Sequence, residues 1–278
     1  MDLTNVKAYT AITQADEDVA VGPGDQFLGA GSWLYSAPHP DVKRLVDVLH
    51  VEGEEDWVKI EHQMVRISAA TPLGWLAKYQ WPEHLRAGAV FPVAIQGVSA
   101  SFKVIQRASV GGNIALSLAK GAIGPICVAM DAEYVLVSSS GTERIVTASD
   151  FQTGSMCNVL RPGERVAAVL IPEENMDADW ALKRIRMTTT SHVATSVIGL
   201  KYPSGKLRIN FSATLVYPVA LQFESMPENF DEIEARVDAE LPQHPYMEDQ
   251  HGTARYRHAM ARNLASEVFG ALSQGLAQ

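Results

Sequence analysis

Two short glycine loops, about eighty residues apart, constrain this chain more than any other feature of it. The first reads Phe27-Leu28-Gly29-Ala30-Gly31-Ser32-Trp33-Leu34, the second Ser109-Val110-Gly111-Gly112-Asn113. In each, glycines and a small hydroxyl residue interrupt apolar sequence. Backbone without Cβ atoms curls tightly and can turn several N–H groups toward one anion. Each loop is expected to follow a strand, and the pair points to a ligand with two phosphates, cradled from both sides. Ordinary turns in a packed domain are the competing reading. Neither the Gly-Lys-Ser/Thr of a P-loop nor the Gly-x-Gly-x-x-Gly dinucleotide fingerprint is present.

A chain of 278 residues with 47% apolar and 20% charged residues can bury a substantial core. Its formal charge of −9 argues against nucleic acid or a membrane surface as partner, since both select a basic face. No apolar run suffices for a membrane span, and Met1-Asp2-Leu3-Thr4 lacks signal-peptide character, so a cytoplasmic location is expected. The two cysteines, Cys127 and Cys157, are expected as small buried hydrophobes, too few for an iron–sulfur cluster or a cysteine-rich zinc site. Eight scattered histidines form no His-x-x-x-His pattern, so no metal site is expected in this chain. Any redox work must fall to an organic cofactor.

The apolar patterning alternates between helix and strand periods, an α+β organisation. Residues 1–53 read as short strands, among them Leu45–Val48, and one helix. Residues 57–60 and 65–67 alternate as strands, Thr71-Pro72-Leu73 reads as a capped helix start, and 92–99 as a helix. Residues 104–107 lead into the second loop. A hairpin is expected over 134–137 and 143–146, and a strand over 166–171. The acidic stretch 173–179 marks a domain boundary. Beyond it come strands over 193–202 and 207–211 and helices over 230–241 and 254–272. The last helix carries a core-facing stripe of Tyr256, Met260, Leu264, Val268 and Leu272.

Four segments, Leu28-Gly29-Ala30-Gly31-Ser32-Trp33-Leu34, Leu45-Val46-Asp47-Val48, Ala108-Ser109-Val110-Gly111-Gly112-Asn113 and Gly252-Thr253-Ala254-Arg255-Tyr256-Arg257, carry a family likeness. In them the chain resembles the FAD-binding medium subunit of the molybdenum hydroxylases, such as the carbon monoxide dehydrogenase flavoprotein and the flavin domain of xanthine dehydrogenase. The likeness implies a vanillyl-alcohol-oxidase-type FAD-binding domain of two α+β subdomains, 1–53 and 54–175, then a small C-terminal α+β domain, 176–278. It implies that Phe27, Leu28, Gly29, Ala30, Gly31, Ser32, Trp33 and Leu34 wrap the pyrophosphate and adenosine side of FAD. It likewise implies that Ser109, Val110, Gly111, Gly112 and Asn113 bind the diphosphate and ribityl region through backbone N–H groups, the Ser109 hydroxyl and the Asn113 amide. Val166 stands where the family sets an apolar residue against the flavin. Lys183 stands where it sets a flavin-contacting lysine, or else is a solvated member of the basic run 183–186.

The implied function is electron transfer. A small subunit with two [2Fe–2S] clusters and a large subunit with the molybdenum cofactor would be partners, in a dimer of heterotrimers, and FAD would pass electrons to an external acceptor. No catalytic side chain of this chain is expected. Two features depart from the family pattern. Gly31 replaces a histidine, and Ala122 stands where an aspartate hydrogen-bonds the cofactor. The second departure motivates an alternative, an assembly subunit with a decayed flavin site; a stand-alone flavin oxidoreductase of the same superfold is a third reading.

Overall fold

The computed structural model describes residues 3–13, 19–51, 56–188 and 191–275. The chain begins with three parallel strands, β1 (Ala8–Ala11), β2 (Asp25–Leu28) and β3 (Arg44–Asp47), in the order β1-β3-β2. Val46, opposite Phe27, is fully buried with Ile12, Val19 and Val51 in a small core of its own. Leu28 and Asp47 are partners at the ends of β2 and β3, so the loops that follow leave from one edge of the sheet. The helix expected within 1–53 is reduced, among the described residues, to a single 3₁₀ turn at Leu34–Ser36.

The second sheet opens with the hairpin β4 (Val58–Glu61) and β5 (Met64–Ser68). Five short helices follow: α1 (Leu73–Leu76), α2 (Val90–Ile95), α3 (Phe102–Arg107), α4 (Val110–Ala115) and α5 (Ile123–Ala129). The expected hairpin is β6 (Glu133–Ser138) with β7 (Glu143–Thr147). Then come α6 (Ala148–Phe151), a small ladder of β8 (Gln152–Gly154) and β9 (Cys157–Asn158), and β10 (Glu164–Pro172). The order is β4-β5-β10-β6-β7, antiparallel throughout. Its central strand β10 is covered on both faces, which is why 166–171 reads as an unbroken apolar run. Ile67, Leu136 and Val169 meet Leu73, Phe91 and Ile126 of the helices in the main core.

Three local expectations change. Residues 104–107 belong to α3, capped by the Ser101 hydroxyl, which accepts from the Val104 N–H at 3.4 Å; the second glycine loop thus follows a helix. Thr71 caps nothing, because its hydroxyl donates to the Trp57 carbonyl at 3.1 Å. Cys127 is buried and its thiol is pushed up to about 12 by that burial, but Cys157 lies exposed on the surface ladder.

After the short helix α7 (Glu173–Met176), β11 (Asp179–Arg186), β12 (Val193–Lys201), β13 (Leu207–Ser212) and β14 (Val219–Phe223) form an antiparallel meander. The acidic stretch 173–179 is no solvated linker, since Met176 and Ala178 are fully buried in the main core. Helices α8 (Asp231–Glu240) and α9 (Ala254–Ser273) complete the chain. A side chain at Gly199 of β12 would collide with Val268, so glycine lets α9 approach the sheet. The buried stripe of α9 is Arg257, Ala261, Leu264, Ala265, Val268 and Leu272, with Tyr256 40% exposed. The helix is rotated from the expected stripe at its start because the Arg257 guanidinium is bonded inward. No helix among the described residues is long and apolar enough to cross a membrane.

Candidate functional site

A cleft of about 710 Å³ is lined by both glycine loops, by α3 and α4, by the start of β10 and by residues of the C-terminal sheet region. That volume is in the range of cofactor pockets. Every sequence-predicted site residue lines it except Leu28, Ala30, Val110 and Lys183. Leu28 and Val110 are buried.

The first loop has consecutive left-handed residues, Ala30 at φ +59° and Gly31 at φ +70°. Gly31 donates to the Gly29 carbonyl at 2.8 Å, and Tyr35 donates back to Gly31 at 2.9 Å. The Tyr35 ring occupies the space that a Gly31 side chain would need, so no larger residue fits there. The N–H groups of Gly29, Ala30, Ser32 and Trp33 have no acceptor among the described residues. These four donors flank Gly31, whose own N–H is already bonded, and are available to a ligand in the cleft.

The second loop is built differently from the expectation. Its backbone donors are consumed by the fold: Val110 donates to Thr71 O at 2.9 Å, Gly111 to Ala69 O at 2.8 Å and Asn113 to Ser109 O at 2.9 Å. Ser109 caps α4 by accepting from the Gly112 N–H at 3.1 Å. Gly111 is required by packing, since a Cβ there would stand 2.6 Å from that of Ala69. A Cβ on Gly29 would lie 3.1 Å from Ser109 Oγ, and one on Gly112 3.0 Å from the same atom. The two loops therefore converge on one hydroxyl, with Gly112 also facing the Gly29 carbonyl. Asn113 Oδ1 accepts from the Ile123 N–H at 3.1 Å, which fixes the start of α5.

Val166 precedes a bulge in β10: it pairs with Leu136 while Ala168 pairs with Val135, so Ala167 is the extra residue. Bulges re-aim neighbouring side chains, and Val166 here reaches both the main core and the cleft. Lys183 lies on β11 opposite Val197, outside the cleft. The lysine that lines the cleft is Lys120. Its Nζ lies 2.5 Å from Asp249 Oδ2, and Asp249 is held in turn by Arg257 at 2.6 Å and by the His251 N–H at 2.7 Å. Burial alone would raise the Asp249 pKa; the bonds from Lys120 and His251 and the charge of Arg257 bring it down to about 2.

Further lining groups carry no motif in the sequence. Arg165 is a buried cation on β10. Its neighbour Glu164 is neutralised by two bonds from Arg144, at 2.8 and 2.7 Å, which lower its pKa against the cost of burial. His192 lines the cleft beside His251, and burial, Lys120 and His251 depress its pKa. His39 Nε2 and Ser99 Oγ are buried lining atoms without a hydrogen-bond partner. An orphaned buried polar atom is costly, so a ligand that satisfies it gains by doing so. Ala122 does not line this cleft. It faces a separate cavity of about 30 Å³ that Arg184 also lines.

The free donors of the first loop, the Ser109 junction, the two cations and the two orphaned atoms suit a long anionic ligand with polar groups along its length. Residues 2–174 match the family described as the FAD binding domain in molybdopterin dehydrogenase. The chain belongs to that family, whose cofactor is FAD, and it is an oxidoreductase component. Its fold matches a chain of carbon monoxide dehydrogenase from Hydrogenophaga pseudoflava, in the form lacking the Mo-pyranopterin moiety of the molybdenum cofactor, with TM-score 0.82 and 21% identity over 99% of both chains. A chain of reconstituted CO dehydrogenase from Oligotropha carboxidovorans matches at TM-score 0.82 and 19% identity over 99% of both. Quinoline 2-oxidoreductase from Pseudomonas putida 86 matches at TM-score 0.79 and 18% identity over the full length of both. No curated protein sequence matches significantly.

Proposed function

We propose that this chain is the electron-transfer flavoprotein of a molybdenum-dependent dehydrogenase, organised as FAD subdomains 1–53 and 54–175 and a C-terminal domain 176–278. The observation that carries the reading is the convergence of two glycine loops on Ser109 at the wall of one large cleft. FAD, when bound, supplies the redox chemistry. The first loop's free N–H groups and Ser109 would hold the diphosphate, and Arg165 and Lys120 would offset its charge. Val166 would pack against the isoalloxazine, and His192 and Lys120 would face its polar side. Ala122 lines a separate small cavity rather than the cleft, which favours this reading over that of a decayed flavin site.

Electrons would come from [2Fe–2S] clusters on a small partner subunit, fed by a molybdenum cofactor on a large one, in a cytoplasmic dimer of heterotrimers. Carbon monoxide dehydrogenase and quinoline 2-oxidoreductase, whose chains share this fold, support that division of labour. Obligate interfaces of this kind bury more than about 2,000 Å². Purification from the native host under gentle conditions should yield a yellow-brown complex with iron, molybdenum and two companion chains. A lone flavoprotein that turns over a substrate without either metal would establish the stand-alone oxidoreductase instead, and a colourless complex the assembly subunit.

A further inference from the structure

Four half-buried aromatic side chains stand in one line behind the cleft. Trp57 meets Trp75 at 4.9 Å between ring centroids, Trp75 meets Tyr79 at 5.0 Å, and Tyr79 meets Trp81 at 4.8 Å. Trp57 ties the line to the cleft. Its carbonyl accepts from the Ser68 N–H at 3.0 Å and from the Thr71 hydroxyl at 3.1 Å, and Ala69 and Ala70 between those residues line the cleft, as does Leu73 of α1. The far end stops at Phe91, which is buried and stacked on Trp81 at 5.3 Å. Ring contacts of this kind stabilise a fold, yet packing alone does not call for an indole at position 81. The Trp81 Nε1 is buried without a hydrogen-bond partner among the described residues, a cost that a phenyl ring would avoid. Gly88 is needed to admit that indole, since a Cβ there would stand 2.4 Å from Trp81 Cγ.

Indole and phenol rings give up one electron to a strong oxidant and can recover it, and rings in contact pass the vacancy along. We propose that Trp57, Trp75, Tyr79 and Trp81 form an oxidation relay, which draws one-electron oxidising equivalents from the wall of the cleft to Tyr79, where ascorbate in solution restores the electron. The oxidant is a peroxyl radical, of which the simplest is the hydroperoxyl formed when dioxygen takes one electron from a reduced flavin. That radical takes an electron and a proton from an indole and becomes the hydroperoxide, leaving a neutral indolyl radical. The indolyl recovers an electron from Tyr79, whose phenolic proton leaves to water as the indole regains one. Ascorbate then gives the tyrosyl radical an electron and a proton. Tyr79 is the terminus for two reasons. It stands between Trp75 and Trp81, so a vacancy on either reaches it in one step. Its hydroxyl has no partner among the described residues and is not sealed from water, whereas the N–H of Trp81 is enclosed and keeps its proton. Tryptophan and tyrosine are oxidised only at potentials far above that of a flavin, so the relay carries damaging oxidants and leaves the productive current to the cofactor. The protective role rests on the FAD reading; the relay itself does not.

The test of the relay uses the flavin-free full chain and azide radicals made by pulse radiolysis, which oxidise tryptophan in preference to tyrosine. Indolyl absorbance should form first and give way to phenoxyl absorbance in a first-order step whose rate is independent of protein concentration. Tyr79→Phe, which keeps the ring, should remove most of that step, and Trp75→Phe should shrink its amplitude by cutting Trp57 off. Tyr9→Phe, outside the line, should leave it unchanged. A step that survives intact in Tyr79→Phe, or that the wild type lacks, overturns the relay. The protective role is read on the flavin-loaded chain, reduced and exposed to air in repeated cycles with ascorbate present. Mass spectrometry should then find several-fold more oxidised Trp57 and Trp75 in Tyr79→Phe than in the wild type, at equal melting temperature. Equal oxidation in the two proteins overturns the role. Excess damage that comes only with a lowered melting temperature makes Tyr79 structural and overturns the role as well. A wild-type chain that takes up no FAD overturns the functional reading, while the radiolysis result stands by itself.

Discussion

At the scale of single residues, Ser109 is the one side chain both glycine loops share. Its hydroxyl caps α4 and lies against both Gly29 and Gly112. Ser109→Ala should lower stability by about 1 kcal/mol through the lost cap. It should also weaken FAD about fivefold, the worth of one neutral hydrogen bond, measured by thermal melting and fluorescence titration. Ala122→Asp separates two readings of the family departure. Because Ala122 faces the small cavity beside Arg184, the added carboxylate should leave the FAD dissociation constant within about twofold of wild type. A clear tightening would bring position 122 to the cofactor.

At the scale of elements, close approach explains several glycines better than ligand contact does. Gly111 lets α4 sit on the end of β5, with a Cβ contact of 2.6 Å to Ala69 the consequence of any substitution. Gly111→Val should therefore cost about 1–3 kcal/mol by overpacking, visible as a lowered urea midpoint even without FAD. Were the mutant as stable as wild type and defective only in FAD binding, the glycine would serve the ligand directly. Arg257 ties α9 to the ends of β12 and β13, donating to the carbonyls of Ala194 and Ala213 (2.5 Å to the latter), while its ion pair with Asp249 positions Lys120. Arg257→Met should leave the Ala194 and Ala213 carbonyls without their donor and cost about 1–3 kcal/mol for each such group, read by chemical denaturation.

For the whole molecule, ion pairs set a pH dependence. Asp25 is held low by the bond from Arg44, Glu164 by that from Arg144, and Asp249 at about 2 by its partners against the cost of burial. A carboxylate whose folded pKa is depressed stabilises the fold above its unfolded value, near 4, and loses that contribution as pH falls through the folded value. His192, with its pKa lowered chiefly by burial, takes up a proton more readily in the unfolded chain, so its share is present above 6.5 and falls off below. Unfolding free energy should thus be greatest at about pH 7–8, dip modestly below about pH 7 and fall steeply under about pH 4. It should fall again above about pH 9, where Cys127, the buried Tyr134 and the half-buried Tyr202 lose protons more readily in the unfolded chain than in the folded one. Urea titrations across that range check the profile. A stability that rises on acidification below about pH 7 would contradict these pairings.

The sequence makes legible the class of the fold, the hairpin of β6 and β7, the two C-terminal helices and the two loops that line the cleft, because periodicity and glycine placement are local signals. It also carried the family, through motifs short enough to read without a fold. Which loop keeps its backbone donors depends on long-range pairing, since the partners of Val110 and Gly111 are carbonyls about forty residues earlier, at Thr71 and Ala69. The same holds for the lysine of the cleft. Lys183 looks basic and available in the sequence, yet its strand runs outside the cleft. Lys120 is brought to the cleft by Asp249, more than a hundred residues away. Which charge meets which lies in contacts between distant segments, and no local pattern encodes them.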